Sequence, residues 1–161
     1  MIIGVIGNSE CLKDIYDVSY MVGKEIALSG NILINGGRGG VMEASAKGAH
    51  DVGGLVIGVL PWDRSDANSY IKIPIVAGIG ECRNIIIVKS SDAIIAIDGS
   101  YGTLSEIAFA LKFDVPIVGI NTWDLKSNSG TCPYIPKVED PKEAVKLAIK
   151  LSKKDGEMKN W

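Results

Sequence analysis

The residues of this sequence that are best suited to bind an anion lie in three glycine-containing turns. Each follows a short apolar run, and the last leads into Leu104, Ile107 and Leu111 at the spacing of one helical face. A turn of this kind leaves the first N–H groups of the helix unpaired at the positive end of its dipole, where phosphate or carboxylate binds. The candidate ligand-binding residues are Gly7, Asn8 and Ser9; Gly36, Gly37, Arg38, Gly39 and Gly40; and Asp98, Gly99, Ser100, Tyr101, Gly102 and Thr103.

The strands that precede these turns predict where the turns lie in the fold. In a parallel sheet, ligands bind at the carboxyl ends of the strands, where the connections diverge to opposite faces. One glycine turn is weak evidence, since glycine often only makes a turn possible. Three turns at the same edge predict a phosphate-bearing ligand. Two interpretations of Arg38 stay open: a bidentate clamp on the anion, or a solvated side chain at the tip of its loop.

Short apolar runs alternate with helical patterns along the chain. We predict strands over 2–6, 32–34, 55–60, 75–77, 93–97 and 116–120, and helices over 14–29, 41–52, 85–88 and from the last glycine turn to 113, with a final helix around 144–151. The β-branched run 85–88 favours a strand by propensity, but a right-handed crossover between parallel strands requires a helix there. We predict a long loop over 62–74 and an irregular segment over 121–141, with a short edge strand near Tyr134 and Ile135.

Strands that are apolar throughout and alternate with helices are typical of a parallel sheet covered on both faces. The predicted fold is therefore α/β and Rossmann-like, with a mostly parallel sheet and helices on both faces. The length of 161 residues suits a single domain over 1–161. We expect the polar segment 155–161 to be a frayed tail.

The amino-acid composition and the net charge exclude some classes of binding partner. Hydrophobic residues make up 47% of the chain and the formal net charge is −2. The chain is therefore not disordered, and it has no overall basic field to attract nucleic acid or an anionic membrane. The apolar start of the chain lacks a basic flank and is too short for a signal or membrane helix, so we interpret it as the first strand.

The three cysteines, Cys11, Cys82 and Cys132, are far apart and form no C-x-x-C pair. This spacing argues against a disulfide framework and against a zinc site, and no other metal site is predicted. A reducing, cytoplasmic location follows from this usage of cysteine.

The familiar nucleotide-binding fingerprints are missing from the sequence. No segment matches G-x-x-x-x-G-K-[ST], which excludes a P-loop. The first strand is not followed by G-x-G-x-x-G, and the second ends in Asn35 instead of an acid for a ribose hydroxyl. A standard NAD site is therefore not expected.

Four separated motifs nevertheless resemble one family. They occur in the order 36–44 (GGRGGVMEA), 53–61 (GGLVIGVLP), 83–84 (RN) and 99–106 (GSYGTLSE). Together they resemble the LOG superfamily, the cytokinin-activating phosphoribohydrolases once misnamed lysine decarboxylases, and within it the molybdenum cofactor carrier proteins and their prokaryotic relatives. The resemblance covers about residues 1–123. It implies a Rossmann-like fold, a nucleotide-type ligand, and a homodimer or homotetramer.

The LOG hydrolases carry P-G-G-x-G-T-x-x-E with an arginine upstream in an E-R-K context. Glycine, glycine-threonine and glutamate match at 99, 102–103 and 106, and the arginine matches Arg83. Three positions depart from this pattern: Asp98 replaces the proline, Ser100 the second glycine and Asn84 the lysine. A carboxylate at Asp98 would repel a phosphate unless it is turned away or paired.

The resemblance implies a catalytic pair, Glu106 and Arg83. Hydrolysis of a base from ribose 5′-phosphate builds positive charge on the sugar. Glu106 would stabilise that charge or activate water, and Arg83 would orient the substrate and hold Glu106 ionised. Another interpretation of Glu106 comes from spacing alone: Thr103 to Glu106 reads T-x-x-E, a capping box in which the glutamate only caps its helix.

Our first hypothesis is a protein that binds a phosphate-bearing small molecule without turning it over. The ligand would be an AMP-like nucleotide or a molybdopterin-type compound, as in the cofactor carriers. The alternative is a nucleoside 5′-monophosphate phosphoribohydrolase that uses Glu106 and Arg83. The three departures favour the first. Lysine decarboxylation is excluded, because no site for pyridoxal phosphate is visible and His50 is the only histidine.

Overall fold

A computed structural model of the protein describes residues 1–126 and 134–158, with side chains as far as 153. It confirms the predicted Rossmann-like α/β fold. The described residues contain one all-parallel sheet of six strands, in the order β4-β3-β2-β1-β5-β6. The strands are β1 (Ile2–Gly7), β2 (Ile32–Asn35), β3 (Val56–Leu60), β4 (Ile73–Val76), β5 (Ala93–Ile97) and β6 (Ile117–Ile120); the helices are α1 (Lys13–Leu28), α2 (Val41–His50), α3 (Asn84–Lys89), α4 (Tyr101–Lys112) and α5 (Pro141–Met158).

Alternate residues of the strands feed two apolar clusters, one on each face of the sheet. Ile3 and Val5 of β1 pack in a cluster with side chains of α1, α2 and α5. Ile6 of the same strand points the other way and packs in a cluster with side chains of α3 and α4. Because both faces are buried, the strands have to be apolar at nearly every position.

The connections that follow the neighbouring strands β1 and β5 lead to opposite faces of the sheet. Gly7, the last residue of β1, pairs with Ile97, the last residue of β5. The connection after β1 leads to α1 on one face, and the connection after β5 leads to α4 on the other. Two connections that leave adjacent strand ends in opposite directions open a crevice at the carboxyl edge of the sheet.

Two strand predictions differ from the structure. The fourth strand was predicted at 75–77 but lies at Ile73–Val76 and includes Pro74. Proline is tolerated because β4 is an edge strand, with an unpaired side that needs no N–H donor. The edge strand predicted near Tyr134 and Ile135 is wrong: in the described part of that segment, a single parallel bridge joins Lys137 to Gly119.

The short helix over 85–88 is confirmed as α3, so topology overrides β-branched propensity there. Helix α5 continues to Met158, into the segment expected to be a frayed tail. Residues 159–161 of that tail and Cys132 lie outside the described residues. No helix in the described ranges is long and apolar enough to cross a bilayer.

Candidate functional site

A cavity of about 260 Å³ lies at the carboxyl edge of the sheet, beside the ends of β1, β2 and β5. Residues from all three glycine turns line it, together with the two candidate catalytic side chains. The predicted residues in its lining are Gly7, Ser9, Gly36, Arg38, Ser100, Gly102, Thr103, Arg83 and Glu106. The structure therefore brings together turns that are more than 90 positions apart in the chain.

The other predicted residues lie near the cavity but not in its lining: Asn8, Gly37, Gly39, Gly40, Asp98, Gly99 and Tyr101. The Gly37 N–H donates to Asn35 Oδ1 at 2.8 Å. The first N–H of α2, from Val41, donates to the Asn8 carbonyl at 2.9 Å. Amides of the second turn are thus partly used within the protein, and this turn lines the cavity with Gly36 and Arg38.

Helix α4 offers its first amides to the cavity. It begins at Tyr101, and the preceding Ser100 makes no side-chain cap hydrogen bond. The first N–H with a helical acceptor belongs to Leu104, which donates to the Ser100 carbonyl at 2.9 Å. Among the described residues, the N–H groups of Tyr101, Gly102 and Thr103 have no partner. An anion at this terminus would accept hydrogen bonds from these amides and gain from the helix dipole.

The capping box proposed for Thr103 and Glu106 is wrong. Thr103 is the third residue of α4, not the residue before it, so Glu106 lies in the second turn. Both side chains are buried instead of facing solvent at a helix end. Thr103 Oγ1 has no hydrogen-bond partner among the described residues. A buried hydroxyl without a partner is costly, and a ligand in the cavity would supply the missing bond.

Arg83 is the buried cation of the cavity. It ends a 3₁₀ turn, Gly80–Arg83, that leads into α3, and only 3% of its surface is exposed. Its guanidinium lies so close to the end of β2 that a Cβ at Gly36 would be 2.6 Å from Nη2. Nη1 donates to Asn84 Oδ1, while Nε has no partner among the described residues. Burial lowers the pKa of Arg83 from its ordinary value, although the residue stays charged at neutral pH.

Glu106 is 5% exposed and lies 3.8 Å from Arg83, measured from Oε1 to Nη1. That separation is long for a charge-assisted hydrogen bond. Burial raises the pKa of Glu106 to about 8, and the attraction of Arg83 only partly opposes it. Desolvation is thus the larger effect, and it shifts the carboxyl group towards its protonated form in spite of the arginine, against the expectation that Arg83 keeps Glu106 ionised.

Asp98 is not among the residues that line the cavity. Asp98 has a φ of 52°, a left-handed conformation that directs the chain from β5 into the glycine turn. Its Oδ2 accepts a hydrogen bond of 3.2 Å from Asn8 Nδ2, and its carbonyl accepts one of 2.6 Å from Thr122 Oγ1. The acid that departs from the LOG pattern is thus hydrogen-bonded to a neutral side chain and lies outside the cavity lining.

Three supporting residues were missed in the sequence. Asn35 is fully buried and bonds α2 through the Met42 carbonyl, at 2.8 Å, besides receiving the Gly37 N–H. Asn68 donates to the carbonyls of Gly37 and Arg38, both at 2.9 Å. The first could have been found, because an asparagine that ends an apolar strand must find partners. For Asn68 the sequence indicates only a surface residue in the long loop, because its partners lie about 30 positions away.

The third missed residue, Glu81, lies at the mouth of the cavity. Its carboxylate is 3.2 Å from Arg38 Nη1 and 3.8 Å from Arg83 Nη2. The Arg38 side chain is 45% exposed, so this arginine is on the rim, partly solvated and partly paired. Both interpretations of Arg38 describe part of its environment.

The SLOG cluster4 family matches residues 1–149. An uncharacterised protein of Archaeoglobus fulgidus is 55% identical over 112 residues, which is 70% of this chain and 74% of that protein. The cytokinin riboside 5′-monophosphate phosphoribohydrolase LOG5 of Arabidopsis thaliana is 30% identical over 105 residues. That match covers 63% of this chain but only 45% of the plant protein, so the chain spans less than half the length of this relative.

Two solved structures share the fold closely. The molybdenum cofactor binding protein of Rippkaea orientalis is 36% identical, with a TM-score of 0.84 over 93% of this chain and 96% of the other. The Moco carrier protein of Chlamydomonas reinhardtii is 32% identical, with a TM-score of 0.83 over 95% of this chain and 98% of the other. With the family match over most of the chain, these findings establish that the protein belongs to the SLOG cluster4 family, within the superfamily of the LOG and molybdenum cofactor carrier proteins.

Proposed function

We propose that the protein binds a phosphate-bearing ligand in this cavity and releases it chemically unchanged. The ligand class is an AMP-like nucleotide or a molybdopterin-type compound, in line with the molybdenum cofactor named for two of its structural relatives. The phosphate would occupy the start of α4. The rest of the ligand would extend along the lining of the cavity towards Met42 and Val5.

The unpartnered polar atoms of the cavity support a phosphate. Thr103 Oγ1 can donate a hydrogen bond, Arg83 Nε carries an N–H, and the first amides of α4 are free among the described residues. All of these groups are donors, and phosphate oxygens are acceptors. Arg83 adds a positive charge that is shielded from water and therefore acts strongly at short range.

The burial of Glu106, 5% exposed and 3.8 Å from Arg83, is the observation that favours binding over hydrolysis, because burial raises the pKa of the carboxyl group. The transition state for cleavage of an N-glycosidic bond carries positive charge on the sugar, and an ionised carboxylate stabilises that charge or activates the water. With a pKa of about 8, Glu106 is mostly protonated at neutral pH. In that form it can donate a hydrogen bond to an acceptor on the ligand, but it offers no negative charge to a developing cation.

Hydrolysis of a nucleoside 5′-monophosphate remains the second candidate function. It is favoured by the placement of Arg83 and Glu106 in one cavity, 3.8 Å apart, and by the likeness to a cytokinin riboside 5′-monophosphate phosphoribohydrolase. In this case the active enzyme would be the fraction in which Glu106 has lost its proton.

Incubation with AMP separates the two functions. We expect calorimetry to detect AMP binding and chromatography to recover the nucleotide intact, with no free adenine. A Glu106→Gln variant should bind AMP within about threefold of the wild type, because glutamine resembles the protonated carboxyl group. Release of adenine by the wild type that disappears in Glu106→Gln would contradict the binding function and support the hydrolase.

We also propose that the protein forms a homodimer or homotetramer through the edge of the sheet at β4. An apolar surface lies there, made of the exposed side chains Trp62, Ile73, Ile75, Val76 and Ile79; we call it the β4 surface. An exposed edge strand with unpaired backbone groups and apolar side chains is suited to pairing with another chain.

Disruption of the β4 surface should lower the molar mass in solution. Ile75 is 43% exposed, and an Ile75→Lys variant should be monomeric by light scattering, because a buried charge at an interface is costly. Leu12 is 76% exposed, just before α1, and a Leu12→Lys control should keep the wild-type mass. A monomeric wild type, or an Ile75→Lys variant of unchanged mass, would refute this assembly.

The cytoplasmic location stays a prediction from the usage of cysteine. It is compatible with the proposed ligands, and it rests on no feature of the cavity.

A further inference from the structure

A chain of hydrogen bonds runs from Arg83 to the first turn of α4. Arg83 Nη1 donates to Asn84 Oδ1. Asn84 Nδ2 donates to Ser105 Oγ at 3.3 Å, and the Ser105 hydroxyl donates to the Gly102 carbonyl at 2.6 Å. The chain thus joins the buried cation of the cavity to the helix that presents its amides there.

The direction of this chain is fixed by the chemistry of its members. The guanidinium can only donate, so it requires the oxygen of the Asn84 amide. That leaves the Asn84 NH₂ to donate to Ser105, and the hydroxyl then gives its single hydrogen to a backbone carbonyl. Asn84 is 3% exposed and its bond to Arg83 is buried, so water does not compete for that bond. An aspartate here could not donate to Ser105, and a leucine would break both bonds.

The chain uses one N–H of Arg83 and leaves its other N–H groups for a ligand. Nη1 is held by Asn84, and Nη2 lies against the end of β2, where there is no room for a Cβ at Gly36. Nε is buried and has no hydrogen-bond partner among the described residues, and Nη2 is 3.8 Å from the Glu81 carboxylate. The chain is tied to helix α4 at Gly102, and the first amides of that helix have no partner within residues 1–126 and 134–158.

We propose that Asn84 is a positioning residue, which fixes the Arg83 guanidinium relative to the start of α4 so that both bind one anion. This inference rests on the proposed function for its ligand, but its geometric part does not. Ser105 is the far anchor of the chain and does not line the cavity. It can therefore be changed without altering the binding surface itself.

Nuclear magnetic resonance of the arginine side chains, without ligand, tests the geometric part. In the wild type we expect slow rotation of the Arg83 guanidinium, with separate signals for its Nη hydrogens. Asn84→Leu and Ser105→Ala should both speed this rotation, while Ser105→Thr, which keeps the hydroxyl, should preserve the wild-type signals. If Asn84→Leu does not fold, the matched pair at Ser105 still decides. Wild-type signals in Ser105→Ala would overturn the proposal.

Binding of AMP and adenosine tests the functional part. We expect Asn84→Leu to bind AMP about tenfold more weakly and Ser105→Ala about threefold more weakly, with Ser105→Thr unchanged, as loss of about one hydrogen bond implies. Adenosine, which lacks the phosphate, should bind all variants alike. Equal losses for AMP and adenosine would overturn the proposal, because they indicate general damage. A wild type that binds no AMP would refute the proposed function, while the rotation of Arg83 would still decide whether Asn84 positions it.

Discussion

An Arg83→Gln variant should bind AMP roughly 10- to 100-fold more weakly than the wild type. Hydrogen bonds to charged groups contribute about 1.5–3 kcal/mol, and each 1.4 kcal/mol changes the affinity tenfold. Arg83 is 3% exposed, so its charge is little screened by solvent. The variant should still fold, since burial raises the pKa of Glu106 and the carboxyl group can take up a proton when the arginine is lost.

Arg38 provides the matched control for this change. It lines the same cavity, but its side chain is 45% exposed and is paired with Glu81 on the rim. Exposed ion pairs contribute up to about 1 kcal/mol, so Arg38→Gln should weaken AMP binding by no more than about fivefold. Calorimetry on both variants, with thermal unfolding as the check on folding, compares the two. Equal losses at both positions, or no loss at Arg83, would contradict a binding site centred on the buried cation.

A Glu106→Gln variant should remove a pH dependence from both stability and binding. The pKa of Glu106 rises from its ordinary value of 4.5 to about 8 in the folded protein. Between these values the folded state holds a proton that the unfolded state has lost, so the free energy of unfolding falls as the pH rises from about 4.5 through 8. At about 1.4 kcal/mol per pH unit, the fall is up to about 5 kcal/mol. Glutamine does not titrate, so the variant should lack this slope.

Ligand affinity should follow the same titration. Above pH 8 the ionised Glu106 places a negative charge next to the phosphate site, so AMP binding to the wild type should weaken there and binding to Glu106→Gln should not. Denaturant unfolding and AMP titration of both proteins at pH 6, 7, 8 and 9 measure the two effects. Parallel pH profiles for wild type and variant would show that Glu106 is already ionised. Adenine release that rises through pH 8 would instead identify the ionised carboxylate as catalytic.

The fold could be predicted largely from the sequence because local pattern and topology agree along most of the chain. Ala93 to Ile97 is apolar at every position because both faces of β5 are buried, and that is visible without coordinates. The fourth strand was misplaced where this agreement fails: Pro74 signals a loop, yet an edge strand accepts it. The helix at 84–89 required the crossover rule, because the local preference of Ile85 to Val88 points the other way.

The convergence of the three glycine turns was predictable from the sequence, but the electrostatics of the cavity were not. Glycine turns at strand ends indicate a common edge of the sheet, and the cavity joins all three. The pKa of Glu106, by contrast, depends on two opposed effects: burial raises it and the charge of Arg83 lowers it. The spacing of residues in the sequence does not show which effect is larger. The roles of Asn84 and Ser105 were likewise invisible, because their contact joins two helices 21 positions apart in the chain.

Two of the helices that begin beside the cavity, α2 and α4, differ: the Asn8 carbonyl accepts the first N–H of α2, whereas the first amides of α4 have no partner in the part of the chain that the structure describes. The cavity therefore has one end suited to an anion, at the start of α4, and another end that is not. A guest would dock by its anionic end against α4, in one orientation only, with its heterocycle left to less demanding neighbours such as Met42. A cavity that recognises its ligand by the anionic end can accept chemically different rings without a change in the residues that bind the anion.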